Sequence, residues 1–238
     1  MWETTVDGRV LHFHLAGINN QNFIMKDEET GSWWQQVTGE AILGPLKGHH
    51  LKTVPHDEIS FAIWKSEKPA GRVLRPDARV EARNEYAPAN WEERMNRLPV
   101  PAQANKADQG LEPRTLVVGV SLNGAAKAYP LTTIQKQSPI IDSIGGVSLV
   151  IILGEDNRSV RAFERNVDGR KVEFFAKPGT LPLQLIDAET GSLWDFSGRA
   201  TAGPLAGRQL KNIAVLEDYW FDWKIYNPNT SVYQIGPR

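Results

Sequence analysis

The sequence predicts a mainly β fold with a few short helices, internally duplicated as one and a half copies of a single β unit. Three observations carry that expectation. First, "DEETGSWW" from Asp27 returns as "DAETGSLW" from Asp187, and "GPLKG" from Gly44 returns as "GPLAG" from Gly203. Second, the same order and nearly the same spacing hold for "TTVDGRVLHF" (Thr4 to Phe13) against "RNVDGRKVEF" (Arg165 to Phe174), and for Trp64-Lys65 against Trp223-Lys224. The offset drifts only from 161 to 159 across the copy, as two single-residue loop deletions would make it do. Third, Val, Ile, Thr and aromatic residues alternate in short runs between Gly, Pro, Asn and Asp turns, the pattern of half-buried strands.

In chain order, residues 1–66 form a half copy. "VDGR" from Val6 is a tight-turn signal, and "DEETG" is an acid-and-glycine turn that leads into the aromatic pair Trp33-Trp34. The half copy ends in an aromatic helix over Asp57 to Glu67, whose counterpart runs from Glu217 to Pro228. Trp64 and Trp223 are in register and are expected to plug the base of each sheet. Residues 67–110 are a Pro-rich ordered connector. Within it "NWEERMNRL" predicts one short helix capped by Asn90, and Tyr86, Trp91 and Met95 supply apolar anchors.

Residues 111–238 form the complete copy. Before its "VDGR" it adds "TLVVGVSLNGAAKAYPL", with a hairpin signal at Asn123-Gly124, and the run "VSLVIILG" from Val147. The first copy has no equivalent of this block, so its sheet edge is expected to be covered by the second unit or by a partner chain, a homo-oligomer included.

Bulk composition excludes more than it identifies. Lys plus Arg total 27 against 28 for Asp plus Glu, a net charge near -1, so no footprint for nucleic acid follows. The 238 residues contain no cysteine, which removes disulfides, thiolate metal sites and a Cys nucleophile. "VSLVIILG" is too short to span a bilayer, so no membrane insertion is expected. The opening "MWETTVDGRV" has neither the basic nor the apolar region of a signal peptide. A soluble protein of unassigned compartment is expected.

The blocks "PRTLVVGVSLNGAAKAYPL", "IGGVSLVIILGEDNRSVRAFERNVDGR", "DAETGSLWDFSGRATAGPLAG" and "DYWFDWKIYNPNTSVY" together resemble the bacterial family known as domain of unknown function 3179. The resemblance covers 111–238 and, as a half copy, 4–66. It implies no established activity. It does imply a Cys-x-x-Cys-type element on the strand before the second "VDGR" and a His after "AYPL". Here those stretches read "SLVIILGEDNRS" and "LTTIQKQSPI", so thiol or thiolate-metal chemistry is out of reach in this copy.

Candidate site residues lie where the first copy differs from the second. Asn19, Asn20, Gln21 and Asn22 form an amide cluster that the second copy lacks, and Trp33-Trp34-Gln35 stands where the second copy has Leu193-Trp194-Asp195. Amides beside an aromatic face suit a small ligand, so Asn20, Asn22, Trp33, Trp34 and Gln35 are the expected groove. His12 and His14, spaced i, i+2 on a strand, share one face, and imidazoles in that arrangement could hold zinc or copper. The second copy has Glu173 and Phe175 at those positions, so the fold does not require the histidines.

No G-x-S-x-G elbow and no phosphate-cradling loop is present, and Asp142 and Asp156 read as isolated acids at strand ends. Whether the chain is an enzyme is left open, with the balance toward no. The leading expectation is a non-catalytic binding or scaffold protein with a small-ligand groove. The alternatives are a metal-binding protein or metal-dependent enzyme using the first-copy histidines, and a degenerate or truncated relative that has lost its site.

Overall fold

The computed structural model describes residues 1–19, 22–82, 88–100, 108–180 and 183–236. The chain is mainly β, with short helices at Phe61–Glu67, Ala78–Ala82, Trp91–Asn96, Leu131–Lys136 and Trp220–Tyr226. None is long and apolar enough to cross a membrane.

The C-terminal half is a stack of layers. One sheet runs in the order Leu216–Tyr219, Leu116–Leu122, Ala125–Pro130, Ser231–Val232, the last pairing being parallel. The second runs Asn212–Ile213, Val160–Glu164, Val147–Leu153, Ile140–Ile144. They bury Val118, Val120 and Tyr129 against Leu149, Ile151 and Ala162. Alternate residues of the same strands, Val150, Ile152 and Phe163, face the other way and pack on Phe174, Leu185 and Trp194 of a third sheet. Val147–Leu153 is thus covered on both faces, which is why its sequence is an uninterrupted apolar run rather than an alternation. On the far side of the first sheet, Val117 and Ala128 bury Trp220 and Trp223 of the C-terminal helix.

The turn signals fold as their chemistry dictates. Asn123 and Gly124 both take positive φ (49° and 78°) between Leu116–Leu122 and Ala125–Pro130. Asp7-Gly8 and Asp168-Gly169 do the same in two small hairpins. This is the two-residue turn whose twist matches that of the flanking strands.

The repeated phrases build the same local object. Each forms a four-stranded antiparallel meander: Phe13–Asn19, Asn22–Asp27, Trp33–Gln35, Ala41–Leu43, and Phe174–Ala176, Leu185–Asp187, Leu193–Trp194, Ala200–Ala202. In the first, the buried Asp27 carboxylate accepts from Trp34 Nε1 (2.8 Å), Thr30 N (2.5 Å) and Thr30 Oγ1 (2.9 Å). In the second, Asp187 accepts from Trp194 Nε1 (2.9 Å), Thr190 N (2.6 Å) and Thr190 Oγ1 (2.8 Å). The two Ser hydroxyls, of Ser32 and Ser192, each accept at 3.0 Å from the backbone of the "GPL" turn. Gly44 and Gly203 take φ of 99° and 90°, and a Cβ on either would lie 2.7 Å from the Cα of that serine. Phe13 and Phe174 meet Trp34 and Trp194 edge-on at 5.8 and 5.6 Å. The phrase is therefore a brace, built from an aspartate, a threonine, a serine and a tryptophan that satisfy one another.

The two meanders differ in their backing. The second leans on the central sheet. The first has a small core of its own, Val6, Leu11, Trp34, Ala41 and Leu51, and its strands join no strand of the C-terminal half among the described residues. The helix after the first meander crosses over instead. Ile63 enters the core made by Val150, Phe163 and Phe196. The buried Arg161 makes a fork to Glu67 (2.6 and 2.8 Å) and reaches Asp57 at 2.8 Å, with its guanidinium 4.7 Å from the Phe196 ring centre. The two in-register tryptophans therefore part company. Trp223 is buried under Gly119 of Leu116–Leu122, whereas Trp64 is half-buried and stacks on Phe61. In the connector, Asn90 precedes Trp91–Asn96 as expected but makes no side-chain cap bond. Tyr86 lies outside the described residues.

Candidate functional site

The four described residues of the expected groove face different surroundings. Trp34 is fully buried with its N–H on Asp27, so its indole is spent inside the first meander. Trp33, the preceding residue on the strand, points to the opposite, exposed face. Gln35 accepts from Thr38 Oγ1 at 3.1 Å. Asn20 and its neighbour Gln21 lie outside the described residues. Asn22 reaches the other half of the molecule: its Nδ2 donates to Asp222 Oδ2 at 2.6 Å, across 200 positions of sequence.

That contact marks one wall of a cleft of about 590 Å³ between the first meander and the C-terminal half. Asn22, Gln36, Thr38 and Trp2 line one side; Gly119, Ser121, Leu216, Trp223, Tyr226 and Asn227 line the other, with His56 and Glu58 at one end. Trp223 can lie flat there only because residue 119 is glycine: a Cβ at Gly119 would sit 2.2 Å from the indole. Tyr226 adds a second tie between the halves, its hydroxyl donating to Asn19 O at 3.3 Å.

Glu58 lines this cleft, Asp222 accepts from its Asn22, and the charges of both act on Asp218. Asp222, on the first turn of its helix, is 5% exposed, and its Oδ1 has no hydrogen-bond partner among the described residues. Burial pushes Asp222 up to about 6, with the Asn22 bond opposing. Burial also pushes Asp218 up to about 7, and the charges of Asp222 and Glu58 add to the rise. Asp218 lines a neighbouring cavity of about 550 Å³ with Trp91, Met95 and Tyr219. A buried acid beside a half-buried one, both with raised pKa values and next to cavities, is a recognised mark of a functional site.

The acid at position 222 had a legible sequence signal. Trp64-Lys65 matches Trp223-Lys224, and the residue before each pair is Ile63 in one and Asp222 in the other. An acid replacing the buried aliphatic of an aromatic helix calls for an explanation that the matched residues do not supply.

The histidines do not assemble. His12 Nδ1 lies 2.6 Å from Glu29 Oε1, and its backbone N–H donates to Glu29 Oε2 at 2.8 Å. That hydrogen bond holds the His12 pKa above its ordinary value, with the Glu29 charge adding to it. In the second meander Glu189 caps the backbone of Glu173 in the same way, so the Glu of the phrase serves the backbone. His14 pairs across the strands with Lys26. Among the described residues no group of three His, Cys, Asp or Glu side chains is placed to hold a metal ion.

The acids read as isolated are also engaged. Asp142 accepts from Lys127 Nζ (2.7 Å) and Tyr129 OH (2.8 Å), and Asp156 accepts from Ser159 N and Oγ.

The fold and cleft define a mainly β protein in which two halves of one chain enclose a polar and aromatic cavity. The model of the family described as "Protein of unknown function (DUF3179)" matches residues 1–230, and the chain belongs to that family. No curated protein and no solved structure matches it.

Proposed function

We propose that this chain is a non-catalytic binding protein for a small molecule, and that its site is the cleft between the first meander and the C-terminal helix. The observation that carries this reading is a cavity of about 590 Å³ walled by both halves, which is in the size range of small-molecule sites. Of the groove residues expected from sequence, Asn22 remains in the site; Gln36, Glu58, Tyr226 and Asn227 join it. The metal-dependent reading finds no cluster of three His, Cys, Asp or Glu side chains among the described residues.

The test is a thermal-shift screen of chemically diverse small compounds against the wild type and Ser121→Trp, which fills the cleft from its exposed strand end. A ligand at about one hundred times its Kd adds about 2.7 kcal/mol of stability. The expected outcome is at least one compound class that raises the wild-type Tm and leaves that of Ser121→Trp unmoved. A screen in which every stabilising compound acts equally on both proteins overturns the assignment.

A further inference from the structure

We infer that the face of the first meander carrying Phe13, Met25 and Trp34 docks on the same face of a second molecule of this chain, sheet on sheet about a two-fold axis. The two meanders make the case between them. Their strands pair in one register: Phe13 lies opposite Asp27 and Leu15 opposite Met25, as Phe174 lies opposite Asp187 and Ala176 opposite Leu185. Met25 then pairs with Trp34, and Leu185 with Trp194. On the second meander this face is closed. Phe174 and Leu185 are each 1% exposed, packed with Val150, Ile152 and Phe163 of the central sheet, and Leu183 packs against the same core. On the first meander no residue of another sheet joins the core among the described residues. Phe13 and Met25 are left half-buried, and Phe23, two residues before Met25, is 40% exposed.

The first meander also extends this face with apolar side chains. Its hairpin strands, Phe13–Asn19 and Asn22–Asp27, outreach the three-residue strands Phe174–Ala176 and Leu185–Asp187. Leu15 and Ile18 are three positions apart, so plain alternation would send them to opposite faces. A bulge at Ala16 takes up one residue, and Ile18 pairs with Phe23 on the same face as Leu15. Leu15 and Ile18 are 59% and 65% exposed there. Contiguous apolar side chains held out in this way mark an interaction surface.

The counterpart and the charges say what covers it. What closes the second meander is an apolar sheet face, and the first meander itself presents one. The titratable side chains of the two hairpin strands do not oppose self-pairing. His14 and Lys26 pair on the opposite face, and Asp27 is buried with Trp34 on its carboxylate. The face can therefore be its own complement, as a two-fold contact requires. Asn22 shares the opposite face with Lys26 and is tied to Asp222, so the docking face looks away from the cleft and is independent of the reading given to it. The patch is smaller than the about 20–30 residues a side of a standard interface, so the dimer is expected to be weak and to dissociate on dilution.

The test is sedimentation velocity of the full chain over a wide range of concentration. The wild type is expected to move from monomer toward dimer as concentration rises. Ile18→Lys and, separately, Leu15→Lys are expected to weaken self-association about tenfold or more. The Tm of either variant in dilute solution should match the wild type, because both side chains are already exposed. Phe175→Lys, at an exposed aromatic residue of the second meander, should associate as the wild type does. A wild type that stays monomeric at every concentration overturns the proposal. So does self-association that neither Ile18→Lys nor Leu15→Lys weakens, or that Phe175→Lys weakens as much.

Discussion

The two meanders contain one brace set in two surroundings. Each fixes a buried aspartate with a tryptophan N–H, a threonine and a serine, in matching geometry. The second is pressed against Val150, Ile152 and Phe163 of a sheet covered on both faces. The first keeps five buried apolar residues to itself and meets the rest of the chain through Asn22, Asn19 and the cleft. A sequence phrase can thus dictate a local structure without dictating what it is packed against. Where apolar backing is absent, the interface becomes polar and hollow.

The sharpest way to break that comparison is to remove the same side chain from both. Truncating a buried Trp costs about 3–5 kcal/mol. Trp194→Ala is expected to fall at the upper end and to unfold the C-terminal half. Trp34→Ala is expected to release amide-exchange protection in residues 1–54 while Val147–Leu153 stays protected. Hydrogen-exchange mass spectrometry of the two variants reads this directly, and equal global loss in both would dissolve the distinction between backed and unbacked braces.

A somewhat smaller effect is expected at the joint. Gly119→Ala drives a methyl into the Trp223 indole, and overpacking of this kind costs about 1–3 kcal/mol. Chemical denaturation should show the loss together with a change in tryptophan emission; wild-type stability would mean that Trp223 is not held where the cleft needs it.

The aspartates separate the two braces from the joint by the sign of their pH dependence. Burial pushes Asp27 and Asp187 upward, but bonds from Trp34 and Trp194 and from the Thr and Ser groups outweigh it and hold both below the ordinary range. Their stabilisation is therefore present above about pH 4 and is lost as pH falls further. Asp218 is raised, to about 7, so its stabilisation is complete below about pH 4 and is lost as pH rises from there through 7. Asp218→Asn should thus be more stable than wild type at pH 8 by on the order of 2 kcal/mol, with the advantage gone at pH 4. Parallel Tm–pH curves for the two proteins would count against a raised acid at the joint.

The smallest effect is expected at the histidines. His12 is exposed and its partner is a single surface carboxylate, so His12→Ala should leave Tm and metal content unchanged. Loss of a stoichiometric metal on that substitution would return the first-copy histidines to the front.

Much of this architecture was legible because the phrase carries its own partners within it. Asp27, Thr30, Ser32 and Trp34 are so close in sequence that repetition alone exposed them, and the Asn-Gly and Asp-Gly turns need only local chemistry. The proposed site was not legible in the same way. Asn22 was found as an amide that only the first copy has, but its partner stands 200 residues away, and no local rule connects the two. Trp33 and Trp34 looked like a pair because they are adjacent; strand alternation sends them to opposite faces. The mismatch of Ile63 with Asp222 was the sequence's pointer to the cleft.

The crossing of Phe61–Glu67 into the other half has a consequence for how the chain can be cut. Arg161 grips Asp57 and Glu67, and Ile63 sits among Val150, Phe163 and Phe196. The segment before the connector is thus structurally a part of the C-terminal half. A single proteolytic nick between residues 68 and 110 should leave two fragments that co-elute as one particle, because a buried ionic clasp takes over from the lost peptide bond. Expressed alone, 111–238 should lack a piece of its own interior and recover it when the fragment ending after Glu67 is supplied in trans.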